Sequence, residues 1–174
     1  MKTMKTMTKS SVIVCSFPNI SPINTAEAGI TQGHYDDHYS FITNETVPLQ
    51  PVQGAKDLHL VCFDWTIGET GYVELLRADG KQPCRNSPQY LLGLMAQVPE
   101  ERMPEELRNK DLVAAEPDNE ASAFTDERGY RCFLCVGDRR GGYRLLNLVS
   151  VDRGWLDYWA FLAEDSPVQA GLAH

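Results

Sequence analysis

The alternation of apolar and polar positions is legible from residue 57 onward and obscure before it. Over 58–63, Leu58, Leu60 and Cys62 alternate with His59, Val61 and Phe63. Both sets are largely apolar, as in a strand covered on two faces. A loop through Gly68 and Gly71 leads to 72–78, which reads as the partner strand, with Asp79-Gly80 closing the hairpin. Ser87-Pro88 supplies a helix cap followed by proline at the first helical position, and Leu91, Leu92, Met95 and Val98 then share a face. This predicts a helix over 88–98, with a strand over 90–98 as the alternative.

Pro104-Glu105-Glu106 is a second helix start, because acids in the first turn complement the helix dipole, and predicts a helix to Ala115. Residues 116–128 read as a polar loop. The segments 130–136 and 142–151 form the clearest hairpin, joined by Gly137-Asp138-Arg139-Arg140-Gly141. Asp152 then caps a last helix with Trp155, Leu156, Trp159, Leu162 and Ala163 as its apolar stripe. In the N-terminal third, 12–17 reads as a short strand stopped by Pro18, 18–33 as a loop with a helical turn near 25–28, and 39–47 as a second strand.

Each hairpin thus leads into a helix, and Cys62-Phe63…Gly71-Tyr72…Leu75-Leu76 resembles Cys132-Phe133…Gly142-Tyr143…Leu145-Leu146. The expected fold class is α+β: a mainly antiparallel sheet built from two β-hairpins each followed by a helix, a candidate ββα duplication, with short N-terminal strands. The expected organisation is a disordered tail over 1–10, one α+β domain over 11–165 and a frayed tail over 166–174.

Composition adds little to this picture until charge is placed along the chain. A length of 174 residues with 43% hydrophobic and 23% charged residues is ordinary for one globular domain. The net charge of −8 disfavours direct nucleic-acid binding, which needs a basic surface to displace counterions. The acidity is local: ten acids against four bases fall within 99–128, which carries six of the eight net charges. No apolar run approaches the ~18 residues of a membrane span. Pro18 and Pro22 cut the apolar stretch after Lys2, Lys5 and Lys9 too short for a signal core, and five scattered cysteines do not make a disulfide framework. The expected setting is cytoplasmic, with reduced thiols.

Four constellations bear on chemistry. His34, Asp36, Asp37 and His38, with His59 further on, are ligand types for a divalent metal. In an extended segment, however, His34 and His38 would lie roughly 13 Å apart, too far to share an ion. The CxxC of Cys132 and Cys135 lacks further ligands, and in a strand the two side chains point to opposite faces, so core cysteines are expected. Leu60 to Asp64 ends an apolar strand in an aspartate, but a phosphatase nucleophile of that kind needs a second acid two residues on, where Thr66 stands. The loop Gly137–Gly142 offers backbone amides and two guanidiniums to a phosphate, or else is a hairpin turn with solvated arginines.

The expectation is a non-catalytic interaction protein: a small regulator, adaptor or inhibitor. Its partner would be a protein, basic or nucleic-acid-handling, bound through Glu100, Glu101, Glu105, Glu106 and Asp111 by electrostatic complementarity. No cofactor is expected. The alternative is a small-molecule- or metal-binding domain or enzyme built on His34, Asp36, Asp37, His38 and His59. The aromatics Trp155, Tyr158, Trp159 and Phe161 exceed one stripe and suit contact with a second copy of the chain, a homodimer.

Overall fold

The computed structural model describes residues 5–7 (main chain only), 12–68, 71–137 and 139–167. The strands among them are β1 (Lys5–Met7), β2 (Ile13–Ile20), β3 (Asp37–His38), β4 (Lys56–Cys62), β5 (Lys81–Pro83), β6 (Asp111–Val113), β7 (Ala123–Thr125), β8 (Arg131–Gly137), β9 (Leu145–Ser150) and β10 (Trp159–Asp165). The α-helices are α1 (Ala26–Gln32), α2 (Gly71–Ala78) and α3 (Ser87–Gln97). One sheet runs β1-β2-β4-β10-β6-β8-β9-β3, with β5 added to β10 and β7 to β8. Ala163 of β10 pairs with His59 on one side and Pro83 on the other, so β5 continues the β6 edge of β10. The pairs β10–β6 and β3–β9 are parallel and the others antiparallel. Of the expected terminal tails, Lys5–Met7 pairs with β2, and 1–4, 8–11 and 168–174 lie outside the described residues.

The expected pair of hairpin-and-helix units is therefore corrected to a mixed sheet carrying three α-helices, with no ββα duplication. Residues 72–78 form a helix, because Tyr72, Val73 and Leu76 are the positions that bury, at spacings of one helical face, while Glu74 and Arg77 face solvent. Asp79-Gly80 is not a hairpin turn but the end of α2. Gly80 takes φ +73°, and its N–H donates to the Arg77 carbonyl.

The predicted last helix is likewise a strand. β10 is central, flanked by β4 on one side and β6 and β5 on the other, so its two faces are both covered. Ala160 and Leu162 pack into one core and Trp159, Phe161 and Ala163 into the other, while Leu156 of the supposed stripe is 42% exposed. Trp155 and Phe161, offered to a second copy of the chain, are inside the molecule. Over 104–115 the helix is replaced by 3-10 turns at Glu100–Arg102 and Glu105–Leu107, then β6, because Pro99 and Pro104 each restart the chain. The strand expected over 39–47 is a series of turns in which the Thr43 hydroxyl accepts from the Glu45 and Thr46 amides.

The β8–β9 hairpin stands as expected, with Leu134 opposite Leu148; α3 starts at Ser87-Pro88, but Asn86 rather than Ser87 holds the cap position and no side chain caps it. The helical turn near Thr25 is the start of α1, whose Ala28 amide donates to the Thr25 hydroxyl. The sheet separates two cores. Below it, α1, α3 and loop residues Ile42 and Val47 close over Phe17, Leu58, Leu60 and Leu134. Above it, α2 brings Tyr72 to stack on Phe161 at 4.4 Å, with Trp155 edge-on to both at 6.1 and 5.5 Å.

Candidate functional site

On the upper face, beyond the aromatic cluster, the sheet opens into a recess of about 450 Å³ over β6, β8, β9 and β10. Cys135, Val149 and Trp159 contribute apolar surface from three strands, and Asn109, Asn147 and Tyr158 add polar groups. Side chains alternate along each strand, so Cys135 and Asn147, opposite each other in the β8–β9 register, both line this face.

Arginines border the recess. Arg153 lies over two indoles, its guanidinium carbon 5.4 Å from the Trp159 ring and 5.8 Å from that of Trp155. The two indoles meet edge to face at 5.2 Å, which fixes the platform on which Arg153 rests. Trp159 is 4% exposed and its indole N–H has no hydrogen-bond partner. A buried donor left so costs about 1–3 kcal/mol. Burial pushes the Cys135 thiol well above its ordinary range, with Asp111 and Cys132 acting in the same direction. This sulfur is a packing group rather than a nucleophile. All five cysteines are free and buried.

Directly beneath the loop that rims the recess lies an ionic cluster. Arg139 and Arg144 are each 1% exposed, and both bind Glu100. Arg139 donates through both terminal nitrogens to the two Glu100 oxygens at 2.8 and 2.9 Å, and through Nε to the Lys110 carbonyl. Arg144 donates through Nε to Glu100 at 2.9 Å, and through its terminal nitrogens to the carbonyls of Gly33, Met95 and Val98. One carboxylate therefore balances two buried guanidiniums, and main-chain carbonyls at the end of α3 carry the rest of the charge. Burial lowers the pKa of Arg139, while the Glu100 carboxylate acts to raise it. Of the two readings of 137–142, solvated arginines describe Arg140 but not Arg139.

The acidic segment is distributed by this arrangement. Glu100 is the internal counterion. Glu101 and Glu105 are exposed on a separate recess of about 660 Å³ shared with Arg108 and Gly141, and Glu106 is half-buried. Asp111 opens β6, and its carboxylate faces the Arg139 amide at 3.5 Å. Glu116 is buried at the start of α3, where it accepts from the Asn86 and Ser87 amides and the Ser122 hydroxyl. Glu100 and Glu116 are thus spent inside the fold, while Glu101, Glu105, Asp118, Glu120 and Glu127 stay exposed.

The metal-type residues do not assemble. His34 is exposed and bonded to the Ala96 carbonyl, the Asp36 carboxylate accepts from the Arg144 amide, and Asp37 accepts from the amide of His38. Among the described residues, no group of three or more His, Cys, Asp or Glu is placed to hold a metal ion. His59 lies in a different chain of contacts, between Ser16 at 2.8 Å and Asp165 at 3.0 Å. A carboxylate only accepts, so the proton sits on Nε2, and Nδ1 accepts from the Ser16 hydroxyl. These residues occupy the adjacent strands β2, β4 and β10, and Ser16 and His59 are direct cross-strand partners.

Burial pushes the His59 pKa below its ordinary value of 6.5; Asp165 opposes the shift and Lys81 reinforces it. A base depressed on folding binds fewer protons in the native state than in the unfolded one. Its contribution is therefore complete above pH 6.5 and is lost as pH falls toward the folded value. The stability difference between wild type and His59→Gln should shrink between pH 7.5 and 5 in thermal melts. A difference independent of pH would refute the assignment.

Sequence reasoning did not single out Arg144, Arg153 or Ser16, and it assigned Trp159 to a helix stripe. No protein-family model matches the chain, and no curated protein or solved structure matches it at a significant level.

Proposed function

We propose that the chain is a small-molecule-binding domain whose ligand seats in the recess over β6, β8, β9 and β10. The observation that carries this reading is a 450 Å³ recess on the sheet face onto which Arg140, Asn147, Arg153 and Tyr158 converge. That volume falls within the roughly 300–1,000 Å³ typical of ligand sites. Asn147 sits on β9, while Arg140, Arg153 and Tyr158 come from the connections between strands. A cytoplasmic setting accords with five buried thiols. No helix among the described residues is long and apolar enough to cross a membrane.

A diverse fragment library screened by ligand-observed NMR tests the reading, with Asn147→Trp as the comparison in which an indole fills the recess. Fragments are expected to bind wild type and to lose binding to Asn147→Trp. Equal binding to both, or none to either, would overturn it.

A second reading places a basic protein partner on the acidic surface. The exposure of Glu101 and Glu105 on one recess favours it, since both carboxylates are free to meet a cation without disturbing Glu100.

A further inference from the structure

We infer that the ligand of this recess is a small organic anion with a flat apolar body and a carboxylate as its charged end; this rests on the recess being a binding site. Three features select that class. The first is charge. Among the described residues lining the recess, Arg140 and Arg153 are cations not committed elsewhere, Arg139 is spent on Glu100, and Asp111 is the carboxylate. Asp111 is set against Arg139, whose amide approaches it at 3.5 Å and whose guanidinium charge it supports. Arg140 and Arg153 form no ion pair with a described carboxylate. In a chain of net charge −8, this is a local positive field, and it attracts anions by the same electrostatics that repels them elsewhere on the molecule.

The second feature is hydrogen bonding. The guanidiniums of Arg140 and Arg153 only donate. A ligand presenting acceptor oxygens satisfies both, whereas an ammonium group satisfies neither. The third is shape. Arg153 covers the buried Trp155–Trp159 pair, and the half-buried Tyr158 brings ring surface to the recess. A flat ring packs against such a surface, and inorganic phosphate would leave it exposed to water. Phosphate sites also draw on helix N-termini, and no α-helix among the described elements lines this recess.

The test uses 2-naphthoate, the matched neutral 2-naphthamide and inorganic phosphate, each titrated by calorimetry and by tryptophan fluorescence into the full chain. 2-Naphthoate is expected to bind at least tenfold tighter than 2-naphthamide, and to quench or shift the tryptophan emission. Arg153→Gln, on a partly exposed loop, is expected to bring the two affinities within about threefold, with far-UV circular dichroism unchanged. The anion assignment is overturned if 2-naphthamide binds as tightly as 2-naphthoate, if phosphate competes as well as the naphthoate does, or if Arg153→Gln leaves the preference intact. In each case the recess reading survives as long as library fragments still distinguish wild type from Asn147→Trp. Failure of that fragment comparison overturns the recess reading itself, so the two failures are separable.

Discussion

Glu100→Gln is expected to destabilise the protein by about 3–5 kcal/mol, the range for breaking a buried ion pair from one side. The amide keeps the shape of the carboxylate but removes the charge shared by Arg139 and Arg144, and it presents an N–H₂ group toward guanidiniums that can only donate. Both arginines are 1% exposed, so water cannot replace the lost partner. Removing one cation should cost less, because Arg139→Met leaves Glu100 and Arg144 as a balanced pair. The expected order of loss in urea denaturation is therefore Glu100→Gln first, then either single arginine substitution. Domains of this size are stable by only ~5–15 kcal/mol, so Glu100→Gln removes a large share of the total. A midpoint within about 1 kcal/mol of wild type would show that the carboxylate is not the counterion.

Gly93→Ala is the second large effect, and two opposed terms decide its sign. Inside a helix, alanine is favoured over glycine by up to about 1 kcal/mol. At Gly93, however, an added Cβ would stand 1.9 Å from the Ser21 carbonyl oxygen and 3.0 Å from its carbon, both main chain. Here α3 crosses the segment after β2 at backbone contact, a crossing fixed by the bond from the Ile23 amide to the Gln89 carbonyl and from the Ser21 amide to the Gln97 side chain. Neither chain can move without breaking those bonds, so overpacking wins, with an expected net loss of roughly 2 kcal/mol or more. Gly68→Ala, where a Cβ would meet nothing within 4 Å, is the control and should melt within about 0.5 kcal/mol of wild type. Equal effects at the two glycines would refute the close approach.

The acidic segment shows why composition misleads about function. Counting charges over 99–128 suggests a surface offered to a partner, yet Glu100 and Glu116 face inward to two guanidiniums and a helix start. A sequence lists charges without saying which meet one another. Arg139 and Arg144 are near each other in sequence but 39 and 44 residues from Glu100, and only the return of β9 beneath the end of α3 brings the three together. The recess depends on the same kind of convergence: Cys135, Asn147 and Trp159 come from three strands, and Arg153 from the loop between two of them.

Local pattern sufficed wherever an element's neighbours in sequence set its environment. The β8–β9 hairpin followed from apolar runs either side of a glycine-rich turn, α3 from Ser87-Pro88 and its broad apolar face, and β4 from apolar residues at both parities. Tertiary structure decided the rest. Trp159 to Ala163 is an unbroken apolar run, and such a run fits a buried helix or a central strand equally well until the strands on either side are known. Tyr72 to Ala78 became a helix because its apolar residues pack from one side onto Phe161 and Trp155, which arrive from 80 or more residues later in the chain. Periodicity records how many faces of an element are buried; what buries them, and which charges are thereby paired, is settled through space.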